Sequence, residues 1–215
     1  MTSRSGRTPG PKPRISRRQI ADAAIEVGFD KLSIGAVAAR LGVAPSALYT
    51  HVDDKADLII AAADLVSERT ASTELANDWR RFLTEEARRT WSTIRAHPGI
   101  YRAVDETNRV PTAYQQRFAQ AHAHLVGLGF TTDNALLALD IVYDLAADSA
   151  NRSSRIHDQS DDDLHQLATD WSAPLDAPLA EAMSAMVVGD PEPLFRRRLE
   201  VVLTGIEHTL APTST

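Results

Sequence analysis

A phenol, an imidazole and an ammonium group lie within seven residues of one another in the stretch RLGVAPSALYTHVDDK, residues 40–55. Tyr49, His51 and Lys55 can all donate hydrogen bonds, and side chains of these types commonly contact phosphate oxygens. Gly42 and Pro45 precede them, at positions that suit a turn followed by the first residue of a short helix. This combination indicates a helix that presents polar groups to a polyanion.

The distribution of charge along the chain favours the same interpretation. The 215-residue chain has a formal net charge of -6, yet residues 1–50 contain eight Lys or Arg residues and only three Asp or Glu residues. A basic N-terminal segment on an acidic body suits a protein that meets a polyanion with one end. Residues 1–15 are rich in Ser, Thr, Gly, Pro and Arg and are expected to form a disordered basic arm. Six basic residues in and next to this arm could lie along phosphates, the alternative being a solvated tail: Arg4, Arg7, Lys12, Arg14, Arg17 and Arg18.

Three helical segments must position the polar groups of residues 40–55. Ser16 and Ser33 are plausible N-caps, and each precedes apolar residues at helical spacing. Gly42 separates the second helix from a short third helix expected over about residues 45–51, and this arrangement is a helix-turn-helix. The second helix of such a motif faces the major groove of DNA. We therefore expect residues 16–62 to form a DNA-binding domain.

The segment SIGAVAARLGVAPSALYTHVDDKADLIIAAADLV, residues 33–66, resembles the DNA-binding region of the tetracycline-repressor (TetR) family of bacterial transcription regulators. The matching features are the Ala-x-x-Leu-Gly-Val core, Leu48-Tyr49, His51-Val52, Lys55 and Leu58. The resemblance covers residues 16–70 well. It continues more weakly through Trp79, Phe82 and Leu83 and through GFTTDNALLALDIV, residues 129–142, which look like the ligand-binding domain of the tetracycline-repressor branch.

The resemblance implies roles for particular residues. Tyr49, His51 and Lys55 would contact the DNA backbone, which fixes register without reading sequence. Base reading, and the start of the reading helix, would fall to four small residues and one proline: Ser33, Ser46, Ala47, Thr50 and Pro45. Ala44 stands where many members have a capping Ser or Thr, and Gly35 stands where the tetracycline repressors have a base-reading Arg. The operator of this protein should therefore differ from theirs.

The rest of the chain has apolar residues at helical spacing and no alternating strand pattern. We expect an all-α fold of about nine or ten helices, in which residues 63–210 form a ligand-binding and dimerisation domain. Residues 151–174, including Asp161–Asp163, are polar and are expected to form a loop. By resemblance, the helices near 132–150 and 191–209 would pair with their mates in a homodimer, since one helix-turn-helix reads only a half-site. The alternative for these two helices is core packing within a monomer.

A small-molecule effector is expected to bind in a cavity of the C-terminal domain. Aromatic walls with a few polar groups are typical of ligand sites. The candidate lining residues are Glu86, Thr90, Trp91, Ile94, Tyr101, Val104, Tyr114, Phe118, Ala121, His122, Leu136, Asp140 and Tyr143. The alternative for each of them is an ordinary core or surface position.

Asp140, Asp144 and Asp148 lie four residues apart and form an acidic stripe on one helix face. Either this stripe is a solvated edge, or Asp140 or Asp144 reaches the cavity and selects a cationic ligand. Tetracyclines are not the expected effector. Their site in the family uses a metal-binding His, and by alignment Val104 occupies that position, with Ala71, Glu86 and Thr90 at other drug-contacting positions. We expect a different effector, no metal and no cofactor.

Several function classes are not favoured. The sequence contains no glycine-rich phosphate loop, GxSxG or HExxH motif of the kind that enzymes use. It has no cysteine, no signal-peptide apolar region and no run of about 18 apolar residues, so a cytoplasmic protein without a membrane partner is expected. The sequence favours a homodimeric repressor that binds a palindromic double-stranded DNA operator and is released by an effector. An activator, or a regulator controlled by a protein partner, remains the alternative.

Overall fold

The computed structural model describes residues 15–71, 74–157 and 160–212. Within these ranges the chain forms eleven α-helices, one 3-10 turn at Phe29–Lys31 and no strand. The predicted all-α class is therefore confirmed. Residues 1–14 of the predicted basic arm lie outside the described residues.

The N-terminal helices begin at the caps that the sequence predicts. They are α1 (Arg17–Val27), α2 (Ile34–Leu41), α3 (Pro45–Leu48) and α4 (Lys55–Thr70). The Ser16 hydroxyl accepts a hydrogen bond from the Gln19 backbone N–H, and the Gln19 side chain accepts one from the Ser16 N–H. The Ser33 hydroxyl accepts from the Ala36 N–H at 3.1 Å. These side chains satisfy backbone donors that the first turn of a helix leaves unpaired.

The turn between α2 and α3 depends on Gly42. Its φ of 66° lies in the left-handed region, where residues with a side chain are strained. The Val43 N–H bonds to the Ala38 carbonyl at 3.0 Å, which closes the end of α2. A Cβ on Gly42 would meet no atom within 4 Å, so the requirement for glycine comes from the backbone conformation alone.

Helix α4 packs on α1 through a buried apolar face. Ile20 of α1 and Leu58 of α4 are fully buried. Ion pairs join the exposed edges of the two helices: Arg17–Asp57, Arg18–Glu68 and Arg69–Asp22. Exposed ion pairs typically contribute about 0–1 kcal/mol each. The apolar face therefore provides most of the stabilisation, while the ion pairs orient α4 on α1.

The C-terminal helices are α5 (Trp79–Ala96), α6 (Ile100–Asp105), α7 (Thr112–Gly127), α8 (Thr132–His157), α9 (Asp161–Ser172), α10 (Ala177–Val188) and α11 (Pro191–Thr209). Helix α5 lies along α8, and α11 packs against both. Helices α6 and α7 contact α4, and α9 and α10 pack mainly on each other. One apolar core runs from α1 to α11, so the N-terminal and C-terminal helices share it.

The prediction of a polar loop over residues 151–174 is wrong. Helix α8 continues to His157, and α9 follows after Ser160, whose hydroxyl accepts from the Asp163 N–H. Asp162 and Asp163 lie in the first turn of α9, where negative charge is favourable near the helix N-terminus. The less exposed face of α9 carries apolar residues at helical spacing, Leu164, Leu167 and Ala168, whereas Trp171 is 59% exposed. The additional helix α9 raises the number of α-helices among the described residues to eleven, above the predicted nine or ten.

Asp57 is the most strongly held carboxylate of the α1–α4 contact. It accepts a hydrogen bond from Arg17 at 2.8 Å and one from the Asp53 backbone N–H at 3.0 Å. The hydrogen bond from Arg17 lowers the pKa of Asp57, and burial opposes this only in part. A carboxyl with a lowered pKa stabilises the fold above its unfolded pKa of about 3.9, and this stabilisation is lost as the pH falls through the folded pKa.

We expect Asp57→Asn to lower the free energy of unfolding at pH 7 by about 0.5–1 kcal/mol, because Arg17 loses its charged partner and is itself half exposed. The difference from the wild type should shrink as the pH falls below about 4 and be lost below the lower folded pKa, where the wild-type carboxyl is protonated in both states. Urea unfolding across this pH range measures both effects. Asp53→Asn, an exposed carboxylate in the same turn, is the control. An equal loss of stability in the two variants would contradict the assignment.

Candidate functional site

The inner side of helix α3 is buried against the apolar core, and its outer side exposes polar residues to solvent. Leu48 is fully buried against the core, and Val52 is 1% exposed. The predicted DNA-contacting residues lie on the outer side: Ser33, Pro45, Ser46, Tyr49, Thr50 and Lys55 are exposed, and Ala47 and His51 are half-buried. The structure therefore brings these eight residues to the surface around one short helix.

The α-helical hydrogen bonds of α3 end at Leu48, so this helix is shorter than the predicted span of residues 45–51. Ala44 at the N-cap supplies no side-chain hydrogen bond, and Pro45 alone fixes the first helical residue. Residues 49–51 continue as a turn, in which the His51 N–H bonds to the Leu48 carbonyl at 2.8 Å. A bond to the residue three positions back is the 3-10 pattern that commonly ends an α-helix, so the α-helical part of this segment is shorter than predicted.

Two of the exposed hydroxyls already hold structural hydrogen bonds. Thr50 donates to the Ala47 carbonyl at 2.7 Å, so it can offer a base only an acceptor or its methyl group. Ser33 accepts from the Ala36 N–H as the cap of α2, which leaves its own O–H free to donate. Backbone-bonded hydroxyls of this kind have fixed rotamers, and fixed rotamers suit the reading of a base edge.

A guanidinium anchors the end of the DNA-facing segment. Arg17 donates to the His51 carbonyl at 2.7 Å and to Asp57 at 2.8 Å. Arg17 begins α1 and Asp57 lies in the first turn of α4, so one side chain joins these two helices to the turn that follows α3. Arg17 is one of the six basic residues in and next to the arm, some of which could lie along phosphates. No sequence pattern indicates its pairing with Asp57, which is 40 residues away.

A cavity of about 460 Å³ lies between α4, α5, α6, α7 and α8. Seven of the predicted ligand-contacting residues line it: Thr90, Ile94, Tyr101, Val104, Tyr114, Phe118 and Tyr143. Asp144 of the acidic stripe lines it as well. The lining residues that the sequence does not predict come from all five helices and from the α6–α7 connection, and they include three arginines: Ala63, Val66, Ser67, Thr70, Arg89, Thr93, Ile100, Asp105, Asn108, Arg109, Val110, Pro111, Arg117 and Ala147.

The other predicted ligand residues lie outside the cavity wall. Leu136 is 50% exposed, and Asp140 is exposed as well. Ala121 is buried in the core. The remaining two make other contacts: Trp91 stacks on Phe195 with ring centroids 5.1 Å apart, and a ring nitrogen of His122 bonds to the Thr132 carbonyl at 3.0 Å.

Glu86 is 2% exposed and lies directly behind the cavity wall. Its carboxylate accepts hydrogen bonds from Arg89 at 2.9 Å, Arg117 at 2.8 Å and the Tyr143 hydroxyl at 2.7 Å. All three donors line the cavity. Burial, reinforced by the Glu86 charge, raises the pKa of Tyr143, so its phenol remains protonated and donates. The predicted ligand residue Glu86 thus acts on the cavity through the side chains that it holds.

Helix α4 connects the DNA-facing segment to the cavity. The predicted domain boundary between residues 62 and 63 falls inside this unbroken helix. At its C-terminal end, the Thr70 carbonyl accepts a hydrogen bond from Arg117 at 3.4 Å. At its N-terminal end, the capping Asp54 pairs with Arg109 at 3.2 Å. Arginines of the cavity wall therefore contact both ends of α4.

Within the ranges that the structure describes, no three His, Asp or Glu side chains lie close enough together to hold a metal ion. No histidine is found among the cavity-lining residues of this part of the chain. None of the helices in the described ranges is long and apolar enough to cross a membrane.

Comparison with known proteins covers both parts of the chain. The family model of the bacterial regulatory proteins of the tetR family matches residues 18–62, and the tetracyclin repressor-like C-terminal domain matches residues 73–210. The first match ends at residue 62, inside α4, and the second begins at residue 73, after α4 has ended, so residues 63–72 lie between them. The match therefore extends over the DNA-facing segment and nearly all of the cavity wall.

Individual relatives match along most of their length. The chain is 30% identical over 203 residues to the tetracycline repressor protein class C of Escherichia coli, covering 90% of this chain and 91% of that protein. It is 30% identical over 201 residues to the class A repressor from transposon 1721 of Escherichia coli, covering 91% and 90%. The crystal structure of the Streptomyces coelicolor TetR family protein ActR in complex with actinorhodin shares the fold, with a TM-score of 0.75 at 19% identity, covering 94% of this chain and 100% of that chain. The chain therefore belongs to the tetR family of bacterial regulatory proteins and is a transcription regulator with a helix-turn-helix DNA-binding unit.

Proposed function

We propose that the protein is a homodimeric repressor that binds a palindromic operator and is released when a small-molecule effector fills the cavity. The observation that supports this most directly is the course of α4. Its first turn adjoins the DNA-facing segment, and its second half contributes Ala63, Val66, Ser67 and Thr70 to the cavity wall. An effector in the cavity would touch the helix on which the DNA-binding unit is mounted.

Movement of α4 would move the DNA-binding unit with it. The buried face and the ion pairs between α1 and α4 make these helices one body. Two recognition helices must lie about 34–36 Å apart to enter successive major grooves, so a small rotation of each unit lowers operator affinity. The effector releases DNA only if it binds the DNA-incompetent arrangement more tightly.

A dimer is supported by the outer face of α8 and α11, which pack against each other. Leu137 is 45% exposed, Ile141 36% and Val201 69%. Exposed apolar side chains grouped on adjacent helices are typical of a surface that another protein covers. A second copy of the chain on this face would supply the second half-site reader.

The effector is proposed to differ from a magnesium–tetracycline chelate. Val104 lines the cavity where the resemblance places the chelate-binding histidine of the tetracycline repressors. An isopropyl side chain offers no metal ligand, and the cavity wall in the described ranges contains no histidine to replace it.

A cavity with this lining favours a small-molecule effector over the alternative of control by a protein partner. The protein is proposed to act in the cytoplasm, where bacterial DNA lies.

Removing the Tyr49 hydroxyl should weaken operator binding. We expect Tyr49→Phe to raise the Kd about two- to tenfold, because one hydrogen bond to phosphate contributes about 0.5–1.5 kcal/mol. The ranking of operator variants should not change, since a phosphate contact carries no sequence information. Fluorescence anisotropy with a duplex selected from random sequences measures both. Tyr101→Phe is the control, because Tyr101 is similarly exposed, at 46% against 56%, but lies in the C-terminal unit. Equal effects of the two variants would contradict a DNA contact by Tyr49.

Placing a charge on the α8–α11 face should break the dimer. We expect the wild type to sediment as a dimer and Val201→Asp as a monomer, because dimerisation would bury an unpaired carboxylate. Analytical ultracentrifugation measures the mass, and operator binding by the variant should fall with the loss of the dimer. Val126→Asp on α7, 39% exposed, is the control. A monomeric wild type with full operator affinity would refute the proposal.

Effector and operator should each raise the Kd of the other by the same factor. A ligand found by its effect on the melting temperature should raise the operator Kd, and saturating operator should raise the ligand Kd equally, because the coupling free energy is reciprocal. Calorimetry of the free and operator-bound protein measures both constants. A cavity ligand that leaves the operator Kd unchanged would exclude induction by that cavity. An operator Kd that decreases would indicate a co-repressor.

A further inference from the structure

The charges within the Glu86 cluster are not balanced. Glu86 provides one negative charge, and the two guanidiniums bonded to it, Arg89 and Arg117, provide two positive charges. The arginine side chains are only 19% and 18% exposed. Arginine remains protonated in proteins, so the cluster keeps one surplus positive charge. A largely buried surplus charge is unfavourable unless an anion compensates it.

Arg89 has the hydrogen-bonding capacity to receive that anion. Arg117 uses Nε and Nη2 on Glu86 and Nη1 on the Thr70 carbonyl. Arg89 uses only Nη1, on Glu86, and its Nε and Nη2 have no acceptor among the described residues. A guanidinium presents its donors in a fork that matches the two oxygens of a carboxylate. The unused donors of Arg89, which lines the cavity, therefore suit an acidic group on a ligand.

The rest of the cavity suits an apolar body. The rings of Tyr114, Phe118 and Tyr143 form one aromatic cluster, with centroids 6.0–6.4 Å apart. Ile94 and Val104 add aliphatic surface. Flat aromatic molecules pack well on such walls, because ring faces and edges attract each other in addition to burying apolar area.

From this geometry we infer that the effector is an aromatic organic acid, whose anionic group binds Arg89 and whose ring system packs on the cluster of Tyr114, Phe118 and Tyr143. The inference rests on the proposed function, since it names the ligand class of the same cavity. Arg89 determines the charge of the ligand, and the aromatic cluster determines its shape.

Asp105 and Asp144 also line the cavity and would by themselves favour a cation. Both residues are exposed, and an ion pair at an exposed position contributes little. Arg89 is largely buried, where the lower effective dielectric constant strengthens the interaction between charges. The surplus of positive charge around Glu86 also opposes a cation. The acidic ligand is therefore favoured over the cationic one.

Three naphthalene probes test the inference, because they share a ring system and differ in charge: 2-naphthoic acid, 2-naphthamide and 2-naphthylmethylamine. Isothermal titration calorimetry on the full chain should show the acid binding about tenfold or more tightly than the amide, as expected for a charge-assisted pair with a buried guanidinium. The amine should bind most weakly. Equal affinity for acid and amide, tighter binding of the amine, or no binding of the acid at about 1 mM overturns the inference.

Two variants assign the preference to Arg89. Arg89→Gln should reduce the affinity for the acid to that for the amide and leave the amide unchanged, whereas Arg89→Lys, which keeps the charge, should retain a smaller preference. Arg88→Gln removes an exposed charge from the neighbouring position outside the cavity wall and should change none of the three affinities. An unchanged preference in Arg89→Gln overturns the role of Arg89. The wild-type ratio tests the ligand class even if a variant fails to fold.

The same probes titrated into the operator complex separate this inference from the proposed function. An amide or amine that releases DNA supports effector control and overturns only the acidic class. An acid that binds through Arg89 without changing operator affinity supports the ligand class and overturns release by the cavity.

Discussion

The buried carboxylate of Glu86 is the constraint on which the C-terminal unit depends. A charged group at 2% exposure is costly unless it is paired and hydrogen-bonded. Its donors come from three helices, Arg89 from α5, Arg117 from α7 and Tyr143 from α8. Satisfying one carboxylate therefore fixes the relative positions of three helices. Because the side chains that reach Glu86 also line the cavity, the same requirement shapes the cavity wall.

A series of hydrogen bonds at the two ends of α4 connects Glu86 to the DNA-binding unit. Arg117 bonds to Glu86 with one side of its guanidinium and to the Thr70 carbonyl, at the end of α4, with another. Helix α4 has 16 residues, hence a length of about 24 Å. At its other end Asp57 holds Arg17, which in turn holds the His51 carbonyl. Helix α4, with the side chains bonded at its two ends, therefore joins the cavity wall to the DNA-facing segment.

Local chemistry could be predicted from the sequence, whereas long-range pairing could not. Ser16, Ser33, Gly42 and Pro45 act on their immediate neighbours, and each lies at the helix end that its type indicates. The aromatic residues of the cavity were predictable because few other positions suit them. No residue of α4 was among the predicted ligand contacts, although the predicted ligand-binding domain begins at residue 63, because small residues such as Ala63 and Ser67 carry no sign that they line a cavity. The pairing of Arg117 with Glu86 spans 31 residues and depends on how α5 and α7 pack.

The residues that set specificity are separate from those that connect the two ends of the molecule. A Cβ on Gly35 would meet no atom within 4 Å, so a long basic side chain could be accommodated there; under the proposed function its absence would change the chemistry of DNA reading without changing the packing. Under the proposed function, Val104 similarly changes what the cavity can bind while Glu86 retains its donors. The connection between the ends runs instead through the backbone of α4 and through pairs such as Arg109–Asp54. Operator and effector can therefore each change on this scaffold while the contacts that link them are retained.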